Sequence, residues 1–255
     1  MRTRPLGAEG PEVSVVGLGT NNFGARCEYD ESRAVLDEAI EQGITLVDTA
    51  DIYSDGTSEE FIGRALEGRR DAVFVATKFG KPMNDNPSGS RGSPEYVRWA
   101  VEGSLRRLRT EVIDVYQMHE PDPSTPVEET LGALDELVRE GKVRFIGSSN
   151  YSPAQIEEAD TIARDRGLTR FVAAQNEYSF VKREAEDELL PLCDSLGIGV
   201  LPYFPLASGL LTGKHPLGQV PTEGRIAGRE IPAERWERVA ALQRYAEERG
   251  VTLLD

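Results

Sequence analysis

The sequence predicts an α/β protein of the closed (β/α)8 TIM-barrel type with an N-terminal β-hairpin across one end. Three observations lead there. Short apolar runs alternate with amphipathic helical stretches along nearly all of the 255 residues. Ser-Pro and Thr-Pro pairs open several of the helical stretches and glycines close them. Polar residues recur just after the apolar runs. The alternation means a parallel sheet with right-handed crossovers, which an open doubly wound sheet would also satisfy. The polar residues decide between the two. Asp48, Lys78, His119, Ser149-Asn150, Gln175-Asn176 and Tyr203 follow nearly every strand. Only a barrel brings all those ends to one mouth; an open sheet gathers its ligand residues where the strand order reverses.

In chain order, residues 2–6 and 12–16, separated by Gly7-Ala8-Glu9-Gly10, read as a hairpin able to plug one end of the barrel. Residues 15–20 read as the first barrel strand, running into a turn at Gly17 and Gly19. From Asp30 the period becomes helical, with Val35, Leu36, Ala39 and Ile40 on one face and Gly43 as the stop. Residues 46–49 form the second strand. Phe61, Ile62, Ala65 and Leu66 stripe the next helix, and residues 73–77 are a β-branched run suited to burial on both faces. Ser93-Pro94, Thr125-Pro126 and Ser152-Pro153 each set a cap residue before a proline at the first helical position, with Glu128 and Gln155 completing capping boxes. Apolar runs at 113–118, 143–147, 171–174 and 198–203 bring the count to seven strands, and a helix over 233–249 follows. Trp99 and Trp236 lie on helical stripes and read as packing residues.

No linker-like stretch divides the chain, so residues 1–255 are expected to form a single domain. Lys and Arg number 29 against 44 Asp and Glu, a net charge of -15, which repels nucleic acid and anionic membranes alike. Cys27 and Cys193 match no metal or redox spacing, so no metal site is expected. With neither a secretory pattern nor a long apolar span, a soluble cytoplasmic protein is the expectation.

The candidate chemistry centres on Leu46-Val47-Asp48-Thr49-Ala50-Asp51-Ile52-Tyr53. A phenol with a free pKa of about 10 is a poor acid near neutrality, but a neighbouring ammonium favours its ionised form. Lys78 can supply that charge, Asp48 can hold the lysine protonated, and His119 can donate to a carbonyl oxygen as negative charge builds on it. Such a set suits protonation of an alkoxide and needs a bound hydride donor to complete a reduction. Ser149, Asn150 and Gln175 could clamp a carboxamide, and Tyr203 offers a flat face to a nicotinamide ring. The small-residue loop 204–214, with Lys214 and later Arg225, suits a pyrophosphate and an additional phosphate.

Taken in order, these motifs resemble the aldo-keto reductases: Gly-Ile-Thr-Leu-Val-Asp48-Thr-Ala-Asp-Ile-Tyr53, Ala-Thr-Lys78, Tyr-Gln-Met-His119, Gly147-Ser-Ser149-Asn150, Gln175-Asn-Glu-Tyr178 and Tyr203-x-Pro-Leu-Ala-Ser-Gly-Leu-Leu-Thr-Gly-Lys214. The resemblance implies an NADPH-dependent oxidoreductase that reduces an aldehyde or ketone, with Tyr53 as proton donor and Asp48, Lys78 and His119 completing the catalytic set. It also implies a cofactor, NADP(H), held by Gly19, Thr20, Asp48, Ser149, Asn150 and Gln175, with Tyr203 on the ring. The segment Phe204, Leu206, Ala207, Ser208 and Gly209, with Lys214 and Arg225, resembles the phosphate loop of the longer-looped branch, which includes the potassium-channel β-subunits. The alternative functional reading is therefore a non-enzymatic NADP(H)-binding regulatory subunit like those. A Schiff-base lyase using Lys78 is a third, disfavoured because Asp48 would keep the lysine protonated. Relatives in this family continue past the last helix into a further helix, an eighth strand and a final helix, so the resemblance also implies a C-terminally incomplete chain.

Overall fold

In a computed structural model of the chain, the structure describes residues 1–84, 87 and 89–254. A hairpin of β1 (Thr3–Pro5) and β2 (Glu12–Ser14) is followed by a seven-stranded sheet of β3 (Gly17–Gly19), β4 (Leu46–Asp48), β5 (Phe74–Phe79), β6 (Ile113–Met118), β7 (Val143–Ser149), β8 (Phe171–Glu177) and β9 (Gly199–Tyr203). The helices between and after them are α1 (Tyr29–Glu41), α2 (Thr57–Ala65), α3 (Pro94–Leu108), α4 (Val127–Arg139), α5 (Pro153–Arg166), α6 (Leu189–Leu196) and α7 (Ala233–Glu247). The sheet runs β3 to β9 in sequential order with no reversal, the strand order of a (β/α)8 barrel rather than of a doubly wound sheet.

The chain divides into two compact units. The first comprises Met1–Gln175 and Leu192–Val200. Its sheet is curled. Strands β4 and β8 stand four places apart, roughly 19 Å on a flat sheet at ~4.8 Å per strand, yet Gln175 Nε2 donates to Asp48 Oδ1 at 2.8 Å. The opposite end shows the same closure. The hairpin exchanges hydrogen bonds with Thr45, just before β4, from the backbone and hydroxyl of Ser14. Its turn also reaches the start of β9, Ala8 N–H donating to Gly197 O at 2.7 Å. Gly7 sits so close there, at φ 76°, that a Cβ would fall 2.5 Å from Val172 O. The hairpin thus lies across the N-terminal ends of the strands, leaving the C-terminal ends for chemistry.

Between the sheet and the helices the core is built of Leu36, Val47, Ile62, Val75, Val97, Val115, Leu134, Ile146 and Ile156, all fully buried. Ser93 caps α3 by accepting from Tyr96 N–H, and Ser152 and Gln155 form a reciprocal capping box on α5. Gly167, at φ 65°, ends α5 in the left-handed conformation that glycine adopts without strain. The second unit comprises Asn176–Pro191 and Leu201–Asp255. Its core gathers Val181, Leu210, Leu211, Ile226, Trp236 and Val239, with Ala207, Ile231 and Leu242 against them.

Three expectations are corrected. Thr125 does not cap α4: its hydroxyl is taken by Asp122 and Ser90, the helix begins one residue later with Pro126 as cap, and Glu128 pairs with Arg166 at 3.1 Å. The first barrel strand is only Gly17–Gly19; Val15 and Val16, 41 % and 50 % exposed, belong to a bend where Val15 N–H bonds back to Arg2 O. Val35 faces solvent, so the buried stripe of α1 is Ser32, Leu36 and Ala39. Helix α6 was not foreseen, because its apolar run Leu189–Leu192 carries a proline in its first turn and shows no helical period.

Candidate active site

Strand β4 ends at Asp48 and β5 carries Lys78 one residue before its own end. Lys78 has no exposed surface, and its Nζ donates to both Asp48 oxygens at 2.8 Å and to Thr49 O at 2.7 Å. Tyr53 lies beside it, its ring centroid 5.2 Å from Nζ. Burial works to lower the lysine's pKa, but the Asp48 carboxylate, aided by Tyr53, outweighs it, so the pKa ends above its ordinary value. The group is an ammonium.

His119, directly after β6, places its ring 5.9 Å from that of Tyr53 in an edge-to-face arrangement. Burial first, then the charges of Lys78 and Lys81, push its pKa down to about 3. It is a neutral imidazole, and its buried Nδ1 has no hydrogen-bond partner among the described residues. Its backbone is fixed from both sides, the N–H donating to Phe79 O at 2.8 Å and the carbonyl accepting from Asn150 Nδ2 at 2.8 Å. The four residues expected to act together therefore do converge.

The other predicted residues divide by unit. Asn150, in the left-handed region at φ 60°, also donates to Ser149 Oγ at 3.0 Å, and its N–H bonds to Gln175 O. Ser149, Asn150 and Gln175 thus lie on one stretch of rim, joined to Asp48 through Gln175. Gly19 pairs in register with Asp48, and a Cβ built on it would meet nothing within 4 Å, so this side of the rim is open. Thr20 is fully buried, its hydroxyl donating to Asp48 O at 2.9 Å and bonding to Ser58; it ties β3 to β4 from inside. In the second unit, Tyr203 and Phe204 meet edge to face at 5.2 Å, and Phe204, Ala207 and Ser208 all have positive φ. The Arg225 guanidinium lies 5.8 Å from the Phe204 ring. Lys214 lies beside both Gly209 and Gly224: Cβ atoms built there would sit 3.7 Å from its Cε and 3.0 Å from its Nζ. Within that unit the exposed loop carrying Leu206 and the two predicted cations come together.

Sequence reasoning missed a buried polar layer behind the site. Glu59 on α2 accepts from Thr77 Oγ1 at 2.5 Å and from Arg107 Nε at 2.7 Å. Asp51, Tyr116 and Gln117 hold buried polar atoms with no partner among the described residues. No spacing signals these groups, because they come from four elements and meet only after folding.

A sequentially ordered parallel sheet, with a phenol, a paired ammonium and a neutral imidazole gathered at its C-terminal rim, defines a (β/α)-barrel protein carrying a candidate proton-transfer site. Comparison places it more narrowly: the chain belongs to the aldo/keto reductase family, whose sequence model matches residues 15–255. This is a family of oxidoreductases that act on small-molecule carbonyl compounds and use nicotinamide cofactors. The chain is 41 % identical over 227 residues to a probable aldo-keto reductase 1 of Glycine max, a match covering 87 % of this chain and 64 % of that protein. The chain thus spans less than two thirds of the length of that relative. Among the described residues no helix is long and apolar enough to cross a membrane.

Proposed function

We propose that this chain is an NADPH-dependent oxidoreductase that reduces an aldehyde or ketone to an alcohol, with Tyr53 as the proton donor. The observation that carries the reading is the convergence of Tyr53 with the Lys78–Asp48 pair and neutral His119. A bound nicotinamide supplies the hydride. The residues present fit such a cofactor: the rim is open over Gly19, and Ser149, Asn150 and Gln175 offer the mixed donors and acceptors a carboxamide needs. Taken by itself, the second unit gathers Phe204 to Gly209 with Lys214 and Arg225, a set whose two cations suit phosphate groups, and its Tyr203 offers a flat aromatic face.

The protein's own steps follow from charge. Tyr53 gives its phenolic proton to the carbonyl oxygen as that oxygen becomes an alkoxide. The negative charge left on the phenol is held by the Lys78 ammonium, which Asp48 keeps protonated. His119, uncharged, has one N–H to direct at the same oxygen and lacks the second, acidic proton of an imidazolium, so it donates a hydrogen bond and leaves proton transfer to Tyr53. Tyr53→Phe tests this. Turnover should fall by roughly 10²- to 10⁴-fold while cofactor binding, read by quenching of protein fluorescence, persists. Undiminished turnover in Tyr53→Phe would end the assignment. Assaying simple aldehydes with NADPH and NADH separately tests the cofactor, and absence of turnover with every carbonyl compound would favour the regulatory-subunit alternative.

A further inference from the structure

Among the described residues of the first unit, five acidic side chains are buried: Asp51, Glu59, Asp114, Asp135 and Asp160. Four are compensated. Glu59 holds Arg107 and Thr77; Asp114 holds Arg70, Arg144 and the Val75 N–H; Asp135 holds Arg139 and Thr169; Asp160 holds Arg164 and Arg170. Asp51 is the exception. It is 0 % exposed, and neither of its side-chain oxygens has a hydrogen-bond partner among the described residues.

The titratable and charged groups that act on or respond to Asp51 are Glu59 from α2, Arg107 and Tyr96 from α3, Lys78 from β5 and Tyr116 from β6. Neither cation is available to it. Arg107 is engaged with Glu59, and Lys78 with Asp48. Tyr116 Oη is itself buried without a partner among the described residues. An ionised carboxylate in such a place would have no side-chain partner, with only the adjacent Ile52 N–H favouring it from the backbone, and would sit near the Glu59 side chain; the neutral acid costs less. Burial first, then the charge of Glu59, raise the Asp51 pKa to about 8.

The backbone links this side chain to the proposed chemistry. Asp51 N–H donates to Lys78 O at 3.0 Å, and two residues on, Tyr53 N–H donates to Ala50 O at 3.1 Å. We propose that Asp51 is a positioning residue: while its buried carboxyl group is neutral the 50–53 segment stays against the end of β5, and ionisation, which no neighbouring side chain compensates, drives the carboxylate toward solvent and displaces Tyr53 from Lys78 and His119. The inference rests on the role proposed for Tyr53, but its test does not need turnover.

The full chain carrying ¹³Cγ-aspartate and ¹³Cζ-tyrosine is titrated by NMR from about pH 6 to about pH 10. One aspartate carboxyl is expected to titrate above neutrality, and the Tyr53 signal, assigned from Tyr53→Phe, to move with the same midpoint. An aspartate set fully ionised at pH 6, or a Tyr53 signal that ignores the titrating aspartate, overturns the proposal whether or not the chain reduces carbonyls. Where turnover is measurable, Asp51→Asn keeps the shape and removes the proton. Its alkaline fall in kcat/KM should move up by about one pH unit or more, and an unmoved alkaline limb likewise overturns the proposal. Loss of all carbonyl turnover in the wild-type chain would instead strike the proposed reaction and leave the carboxyl titration to decide this point.

Discussion

Lys78 Nζ is equidistant, at 2.8 Å, from the two oxygens of Asp48, and no part of the lysine reaches solvent. Replacing the acid by its neutral isostere therefore leaves burial to act on the ammonium without its main counterweight. Asp48→Asn should lower the lysine's pKa, cut turnover by roughly 10²-fold or more, and cost about 3 kcal/mol of stability from the unpaired buried charge. Urea unfolding and steady-state kinetics on the variant check both halves; full stability at neutral pH would show that Lys78 does not depend on Asp48.

His119 should stay uncharged through the physiological range. Its folded pKa, about 3, lies below its ordinary value, so the folded state resists a proton that the unfolded chain accepts. Stability from this residue is fully present above about pH 6.5 and is lost at up to ~1.4 kcal/mol per pH unit as pH falls toward about 3. Comparing the acid unfolding of the wild-type chain with that of His119→Gln isolates the effect. A His119 imidazole resonance titrating near pH 6.5 would contradict it.

Glu59 and Arg107 form a pair in which the acid is wholly buried and the guanidinium nearly so. Arg107→Met should destabilise the fold by about 3–5 kcal/mol because it strands the carboxylate. The double variant with Glu59→Gln should recover much of that loss. Chemical denaturation of the two singles and the double closes the cycle, and strict additivity would mean that the pair is not coupled.

Gly63 lies inside α2, where alanine would ordinarily stabilise a helix by ~1 kcal/mol. Here a Cβ would fall 2.4 Å from Arg107 O and 2.7 Å from Leu108 O, both backbone atoms of the neighbouring helix end. Gly63→Ala is expected to lower stability by about 1–3 kcal/mol instead, read as a fall in Tm. A rise in Tm would show that α2 and α3 can part at little cost.

Much of this could be read from residue order, and for physical reasons. Buried parallel strands are continuous apolar runs, so the 73–77 run marks β5, and Ser-Pro pairs mark α3 and α5 because serine accepts from an otherwise unpaired first-turn N–H. The same logic failed at Thr125, whose hydroxyl found better partners across space in Ser90 and Asp122. At the site, Tyr53, Lys78, Asp48 and His119 were legible because strand-end polar groups stand out against apolar runs. Asp51 was equally visible as a letter, but its lack of a side-chain partner depends on where α2, α3 and β6 pack. Thr20 was legible as a rim residue, yet its hydroxyl turns inward.

Between Tyr53 and α2 the chain makes an abrupt left-handed passage, Ser54, Asp55 and Gly56 having φ of 52°, 53° and 93°. Because each residue added to an α-helix turns it by about 100°, the length of that passage sets the angular phase of α2. One inserted or deleted residue would swing Glu59 off Thr77 and Arg107 while leaving β4 untouched. This is a surface loop in which length variation, usually well tolerated, is forbidden by an ion pair in the interior.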